Sequence, residues 1–209
     1  MCTWGTVVKL AFRTLIENDH PLNEIAACMT RKCGENKPGG RMCHVEVLME
    51  VDQGQWFKTS INYKEYDYTD EKTGKVVYKD GVVHFQKIEE QEMSQYLCLD
   101  LPIDRSKQKT MYEFARAQFE SGFNFKGYAF NTFPFIFKFG TRSFHADMLD
   151  SSNKCTWFCS EYVVVLLQAA GVFEHEVARI QSPNSIFRLA EQIGARRSGQ
   201  PMTVQKMRL

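Results

Sequence analysis

One cysteine, Cys159, stands at the head of an apolar segment, in the run Phe158-Cys159-Ser160-Glu161. The apolar residues continue over 163–170 and stop at Gly171, a residue type that is common just past the end of a helix. A thiolate in the first turn of such a helix is favoured by the positive end of the helix dipole and by free backbone N–H groups. The sequence therefore predicts a buried helix over 159–170 with a nucleophilic cysteine at its N-terminus.

A cysteine nucleophile needs a base, and His44 is the histidine with a matching context, 115 residues before Cys159. The segment 42–51 has the composition of a strand, and 56–63 is predicted to pair with it as a hairpin. The remaining histidines have no comparable context: they are His20, His84, His145 and His175. We therefore expect His44 to take the thiol proton.

The group that orients the histidine stays open among several residues. A strand beside the histidine strand can hold a side chain against the ring, and Thr59, Ser60 and Asn62 lie on that predicted strand. Ser60 and Asn62 share one face, whereas Thr59 points the other way. Glu46 is the other candidate, because it lies two residues from His44 on the same face of its own strand.

The order of these pieces resembles the circularly permuted papain-like (NlpC-type) amidases, in which the histidine strand precedes the cysteine helix. The likeness covers roughly residues 5–193, and the Cys-Ser-Glu helix start is its most specific part. The aromatic run 123–128 is similar to the family's segment before the nucleophile, and 182–187 to its closing segment. The resemblance implies an α+β fold in which an antiparallel sheet packs against the nucleophile-bearing helix.

The resemblance also implies an activity and a substrate class. It implies hydrolysis or transfer of acyl groups from amides or esters through an acyl-enzyme, with peptide, isopeptide or lipid-acyl substrates and with no metal or organic cofactor. Phe125, Tyr128 and Trp157 are the expected substrate-binding residues. Large DNA viruses carry members of this group, and an insert near 64–80 would suit a viral protein of the host cytoplasm or the virion.

One departure from the family supports a second interpretation. Many members have an acidic residue on the strand after the histidine, whereas 56–62 contains none. A hydroxyl or an amide orients a histidine less strongly than a carboxylate. The alternative is therefore a structural or interaction protein, such as a virion component, that keeps the fold and has little or no turnover.

Composition limits the remaining classes. The 209 residues suit one domain, expected over 1–194, and a basic, flexible tail is expected over 195–209. A net charge of +1 gives no support to a nucleic-acid partner. No apolar run approaches the ~20 residues of a membrane span.

Seven cysteines without regular spacing argue against a disulfide framework and for a reducing, intracellular setting. Cys43, His44, Cys155 and Cys159 are residue types that could form a zinc site, but the absence of a tight CxxC knuckle argues against one.

The predicted elements are strands in the first half of the chain and helices in the second, which indicates an α+β domain. Strands are expected over 6–13, 42–51, 56–63 and 97–102, with a strand pair over 76–87 that turns at Asp80-Gly81. Helices are expected over 21–32, 106–121, 159–170 and 185–194.

Overall fold

A computed structural model of the chain describes residues 4–14, 42–51, 54–61, 66–69, 76–79, 83–119, 121–124, 157–178 and 181–198. Within these ranges the protein has mixed helices and an antiparallel sheet, which confirms the predicted α+β class. The predicted helix over 21–32 and most of the aromatic segment after residue 124 lie outside the described residues.

Eight strands and four helices are formed by the described residues. The strands are β1 (Trp4–Thr14), β2 (Met42–Val51), β3 (Trp56–Ile61), β4 (Tyr66–Thr69), β5 (Val76–Lys79), β6 (Val83–Ile88), β7 (Leu97–Pro102) and β8 (Arg196–Arg197). The helices are α1 (Glu90–Met93), α2 (Arg105–Ala117), α3 (Cys159–Gln168) and α4 (Pro183–Gln192).

Six strands form the main sheet in the order β6-β3-β2-β1-β7-β8, and each neighbouring pair is antiparallel. The β2–β3 hairpin is confirmed, with Val47 opposite Thr59. Its turn contains Gly54 with φ of 80°, a left-handed conformation that glycine adopts without strain. The central position of β2 and β1 places His44 inside the sheet and not at an edge strand.

One face of the main sheet is covered by α2, α3 and α4. Alternate residues of the strands point to this face and join the apolar residues of the helices in one buried core. The strand residues in this core include Leu10, Val47, Ile61 and Leu99. Burial of an apolar face in this way is the main favourable contribution to folding.

The opposite face carries a smaller apolar cluster, formed by Ala11, Leu48 and Ile88. Partly buried side chains of β3, α1 and the start of β7 pack against it: Trp56, Met93, Tyr96 and Cys98. Strand alternation places Glu46, Ser60 and His84 on this second face, and all of them are buried. The sheet therefore buries ionisable side chains on the face that lies away from the main helices.

Several sequence predictions need correction. Strands form on both sides of Asp80-Gly81, but β5 pairs with β4 in a separate two-stranded sheet, and β6 pairs with β3. The segment 64–75, interpreted as a turn or insert, contributes β4. The predicted flexible tail starts too early, because β8 pairs with β7.

The helices form close to the predicted places with shifted ends. α2 begins after the N-cap Asp104, whose carboxylate accepts a hydrogen bond from the Lys107 amide, and it ends four residues before the predicted limit. α4 begins at Pro183 with a capping box between Ser182 and Ser185, two residues earlier than predicted.

Candidate active site

Cys159 is the first residue of α3, the helix that was predicted from the apolar run. The preceding N-cap residue is Phe158, whose side chain makes no capping hydrogen bond. The first amides of a helix have no acceptor within the helix, and they can bind negative charge. Cys159 is thus a thiol at the positive end of a buried helix, with 6% of its surface exposed.

Two buried hydroxyl groups tie the first turn of α3 to its surroundings. The Ser160 hydroxyl donates to the Gln181 carbonyl at 2.7 Å, which connects α3 to the segment before α4. The Tyr162 hydroxyl lies 2.8 Å from Thr59 Oγ1, which donates to the His84 carbonyl at 2.8 Å. The start of α3 is therefore attached both to the segment before α4 and to the sheet.

His44 lies where the pairing of β1 and β2 changes register. Arg13 pairs with His44 and Thr14 with Met42, so Cys43 is an extra residue in β2. Such a bulge re-aims the side chains beside it and is frequent next to active sites. The His44 ring lies 3.1 Å from Glu46 through Nε2 and Oε1, and it is also within hydrogen-bonding reach of Cys159.

The pKa of His44 follows from these two neighbours. Burial by itself lowers the pKa, but the negative charge of a Cys159 thiolate and a hydrogen bond to that side chain raise it, and Glu46 raises it further. The net effect is a His44 pKa of about 10, against a usual value of 6.5. A negative charge on Cys159 and the Glu46 carboxylate therefore favour a protonated His44 ring at neutral pH.

Glu46 is almost completely buried, and its environment keeps it ionised. Burial raises the pKa of its carboxyl group, whereas the hydrogen bond to His44 and then the charges of His44, His84 and Lys58 lower it to about 2. An ionised carboxylate in contact with Nε2 fixes the ring orientation. It also leaves Nδ1 as the ring nitrogen that can exchange a proton with the Cys159 thiol.

The structure separates the candidates for the orienting group. Glu46 contacts the His44 ring, whereas the Ser60 hydroxyl donates to the Val45 carbonyl at 2.7 Å. Thr59 bonds to Tyr162 and the His84 carbonyl on the helix side of β3. Asn62 lies outside the described residues.

Of the expected substrate-binding residues, only Trp157 is described, since Phe125 and Tyr128 lie outside the described residues. Trp157 is buried, its Nε1 donates to Gln118 Oε1 at 3.1 Å, and its ring packs edge-on against Tyr162. Its backbone pairs with Phe123. Trp157 therefore connects the start of α3 with the end of α2 and with Phe123.

His84 is a buried residue beside the site that the sequence gave no reason to select. His84 lies on β6, opposite Ser60 of β3. Burial is the main cause that lowers the pKa of His84 to about 4, and the charge of Glu46 acts in the opposite direction. His84 is therefore neutral near pH 7. Its position between Val83 and Phe85 in a strand was the only local signal of burial.

Metal ligation and a membrane-spanning helix have no support in the described part of the chain. No group of three or more His, Cys, Asp or Glu side chains in those residues is arranged to hold a metal ion. No helix among them is long and apolar enough to cross a membrane. Comparisons of the chain with family models, curated proteins and solved structures gave no match.

Proposed function

We propose that the chain is a cysteine-dependent hydrolase or acyltransferase that acts on an amide or ester bond. Cys159 is the nucleophile, His44 is the base, and Glu46 orients the His44 ring. The observation that carries this proposal is that one histidine ring lies 3.1 Å from the Glu46 carboxylate and has its pKa raised by the helix-terminal Cys159 and by Glu46 together. Nucleophile, base and orienting group in contact form the general arrangement of covalent catalysis by a thiol.

The resting state in this proposal is a thiolate–imidazolium pair. In this state His44 carries a proton and Nε2 is held by Glu46, and the negative charge of the thiolate contributes to the raised His44 pKa of about 10. The thiolate attacks the carbonyl carbon and forms a C–S bond. The resulting tetrahedral intermediate collapses by breaking the C–N or C–O bond, and His44 gives its proton to the departing amine or alcohol.

The second half of the reaction regenerates the thiolate. Water or another acceptor attacks the acyl-enzyme while neutral His44 takes the proton from the attacking group. The C–S bond breaks, and the product carries away the acyl group. The negative oxygen formed in both halves is bound by the backbone N–H of Cys159, which belongs to the first turn of α3.

The arrangement of elements supports the permuted papain-like fold as part of the proposal. The histidine strand β2 precedes the cysteine helix α3 in the chain, and α3 packs on an antiparallel sheet that contains β2. The proposed substrates are those of the resemblance: peptide, isopeptide or lipid-acyl compounds.

The alternative, a scaffold without turnover, was based on the missing acid of β3. Glu46 supplies a carboxylate to His44 from β2 itself, so this argument no longer favours the scaffold. Burial of the ionised Glu46 costs desolvation free energy, and a scaffold without turnover gains nothing from placing this charge beside a histidine and a thiol.

Turnover of a panel of peptides, isopeptides and lipid esters tests the proposal directly. Intact-mass measurement during turnover is expected to show a covalent acyl adduct on Cys159, and Cys159→Ala is expected to abolish both adduct and product. Cys98→Ala is the matched control, because Cys98 is a free cysteine on β7 that takes no part in the site. Turnover that persists in Cys159→Ala would overturn the assignment.

A further inference from the structure

We propose that Tyr162 is a positioning residue, whose buried hydroxyl holds α3 on β3 so that Cys159 stays aligned with His44. This inference deepens the proposed function and rests on it. The Tyr162 side chain does not touch the reacting atoms in this proposal. It acts through the placement of the helix that carries the nucleophile.

The direction of the hydrogen bonds is determined by their last acceptor. A carbonyl oxygen can only accept, so Thr59 Oγ1 uses its single proton on the His84 carbonyl at 2.8 Å. The Tyr162 hydroxyl must then donate to Thr59 Oγ1 at 2.8 Å. Both side chains are completely buried, so water does not compete for either bond.

Apolar packing alone defines the position of α3 less closely than a hydrogen bond does. The residues behind the first turn include Val163, Leu166 and Leu167, and contacts of this kind are not directional. A hydrogen bond has a preferred length and angle, so it resists sliding and rotation of the helix. Tyr162 lies three residues after Cys159, about 4.5 Å along the helix axis, so it acts close to the nucleophile.

The choice of partner strand gives Tyr162 its particular role. Ser160 also ties the first turn of α3, but its acceptor is the Gln181 carbonyl in the segment before α4. Tyr162 reaches Thr59 on β3, and Thr59 pairs with Val47 on the strand that carries His44. The Tyr162–Thr59 bond is therefore the direct link between the helix of the nucleophile and the hairpin of the base.

A phenylalanine would fill the same space without a hydroxyl to satisfy. Burial of a hydroxyl group is costly unless it is hydrogen-bonded, so a tyrosine at a completely buried position is accounted for by its bond. Tyr162→Phe thus removes the link and retains the ring that packs against Trp157.

The test is the rate at which iodoacetamide labels Cys159 as a function of pH in Tyr162→Phe. We expect the rate near neutral pH to fall at least tenfold, since misplacement of a reacting group by about 1 Å can cost a hundredfold. The onset of labelling is expected to move to higher pH, because a weaker contact with His44 stabilises the thiolate less.

Variants of the partner make the test specific to the hydrogen bond. Thr59→Ser keeps the hydroxyl group and is expected to retain the wild-type profile, whereas Thr59→Val is expected to reproduce the loss. The double variant Thr59→Val/Tyr162→Phe should be no slower than either single variant, because all of them remove the same bond. Tyr112→Phe on α2 is the matched control, since it removes the hydroxyl of another tyrosine, whose ring packs on Phe85.

The outcomes separate this inference from the proposed function. If wild-type Cys159 is selectively labelled and Tyr162→Phe keeps the same rate and pH profile, the positioning role is overturned, even if the melting temperature falls. If Thr59→Ser loses the reactivity as fully as Thr59→Val, the hydroxyl is not the cause and the inference is also overturned. If wild-type Cys159 is labelled no faster than Cys98, the proposed function itself fails and the inference fails with it.

Discussion

The two faces of the main sheet are both buried, but they bury different chemistry. The face under α2, α3 and α4 is apolar along β1, β2 and β7, and its polar side chains serve to tie the helices. The second face holds Glu46, Ser60 and His84 beside a small apolar cluster. The first face accounts for the fold, whereas the second places a charge where the candidate chemistry needs it.

His44 lies between the second face of the sheet and the start of α3. Its Nε2 lies 3.1 Å from Glu46 of the second face, and Cys159 at the start of α3 raises the pKa of the same ring. Burial of a carboxylate costs free energy that a stable fold would avoid. The comparison teaches that loss of apolar side chains on the helix side should mainly change stability, whereas substitution of Glu46 on the second face should mainly change the reactivity of Cys159.

The largest expected effect is on the helix side. Leu166→Ala removes a completely buried side chain of α3 and should lower the free energy of unfolding by about 2–5 kcal/mol, measured by urea denaturation. Leu48→Ala is the matched change on the second face, where the smaller cluster predicts a loss near the lower end of that range. An equal or larger loss for Leu48 would break the distinction between the faces.

The next effect concerns protonation of His84. The folded protein binds this proton only near pH 4, because burial lowers the pKa of His84, whereas the unfolded chain binds it near 6.5. Stability should therefore fall as the pH decreases from about 6.5 to about 4, by on the order of 3 kcal/mol at most. Urea unfolding at several pH values measures this slope.

His84→Gln should flatten that acid slope, and His175→Gln, at an exposed position, should leave it unchanged. The charges that face His84 include those of Glu46, His44 and Lys58. An acid slope that persists in His84→Gln would mean that another group supplies the pH dependence.

Glu46→Gln tests the second face as a source of reactivity. Removal of the carboxylate takes away a charge and a hydrogen bond that raise the pKa of His44. The pKa of His44 should therefore fall. Labelling of Cys159 near pH 6 should decrease about tenfold for each unit by which this pKa falls. Glu50→Gln is the matched control, because Glu50 lies on the same strand and accepts a bond from the Gly54 amide at 2.9 Å. Equal effects from both substitutions would remove Glu46 from the site.

The smallest effect is expected at the rim of the second face. Lys58→Met breaks the ion pair with Glu92, which is partly exposed, and should change stability by less than about 1 kcal/mol. Labelling of Cys159 at neutral pH should not change, because the pKa of Glu46 at about 2 leaves the carboxylate ionised without this lysine. A clear loss of labelling would extend the site to Lys58.

Sequence reasoning reached the elements whose signal is local. The apolar run after Cys159 predicted α3, and the turn at 52–55 predicted the hairpin of β2 and β3, because periodicity and turn residues act over short distances. The same reasoning failed for β5, which pairs with β4 and not with β6. The choice of partner strand depends on the competition between distant segments, which no local pattern records.

The candidate site was predicted in part for the same reason. Cys159 and His44 were selected from their elements, and the structure brings them together. The orienting group stayed open among Glu46, Ser60 and Asn62, because side-chain direction at a bulge cannot be read from strand alternation. His84 was missed because it becomes a neighbour of Glu46 only through the pairing of β3 with β6.

The most direct test of the central claim is iodoacetamide labelling of the native protein from pH 5 to 9, with the labelled cysteine located by mass. The account predicts fast labelling of Cys159 that persists near pH 6 and is lost in His44→Ala. Cys98 should be labelled slowly throughout, because burial raises its pKa to about 11. Slow labelling spread over several cysteines, and unchanged by His44→Ala, would contradict a working thiolate–imidazolium pair.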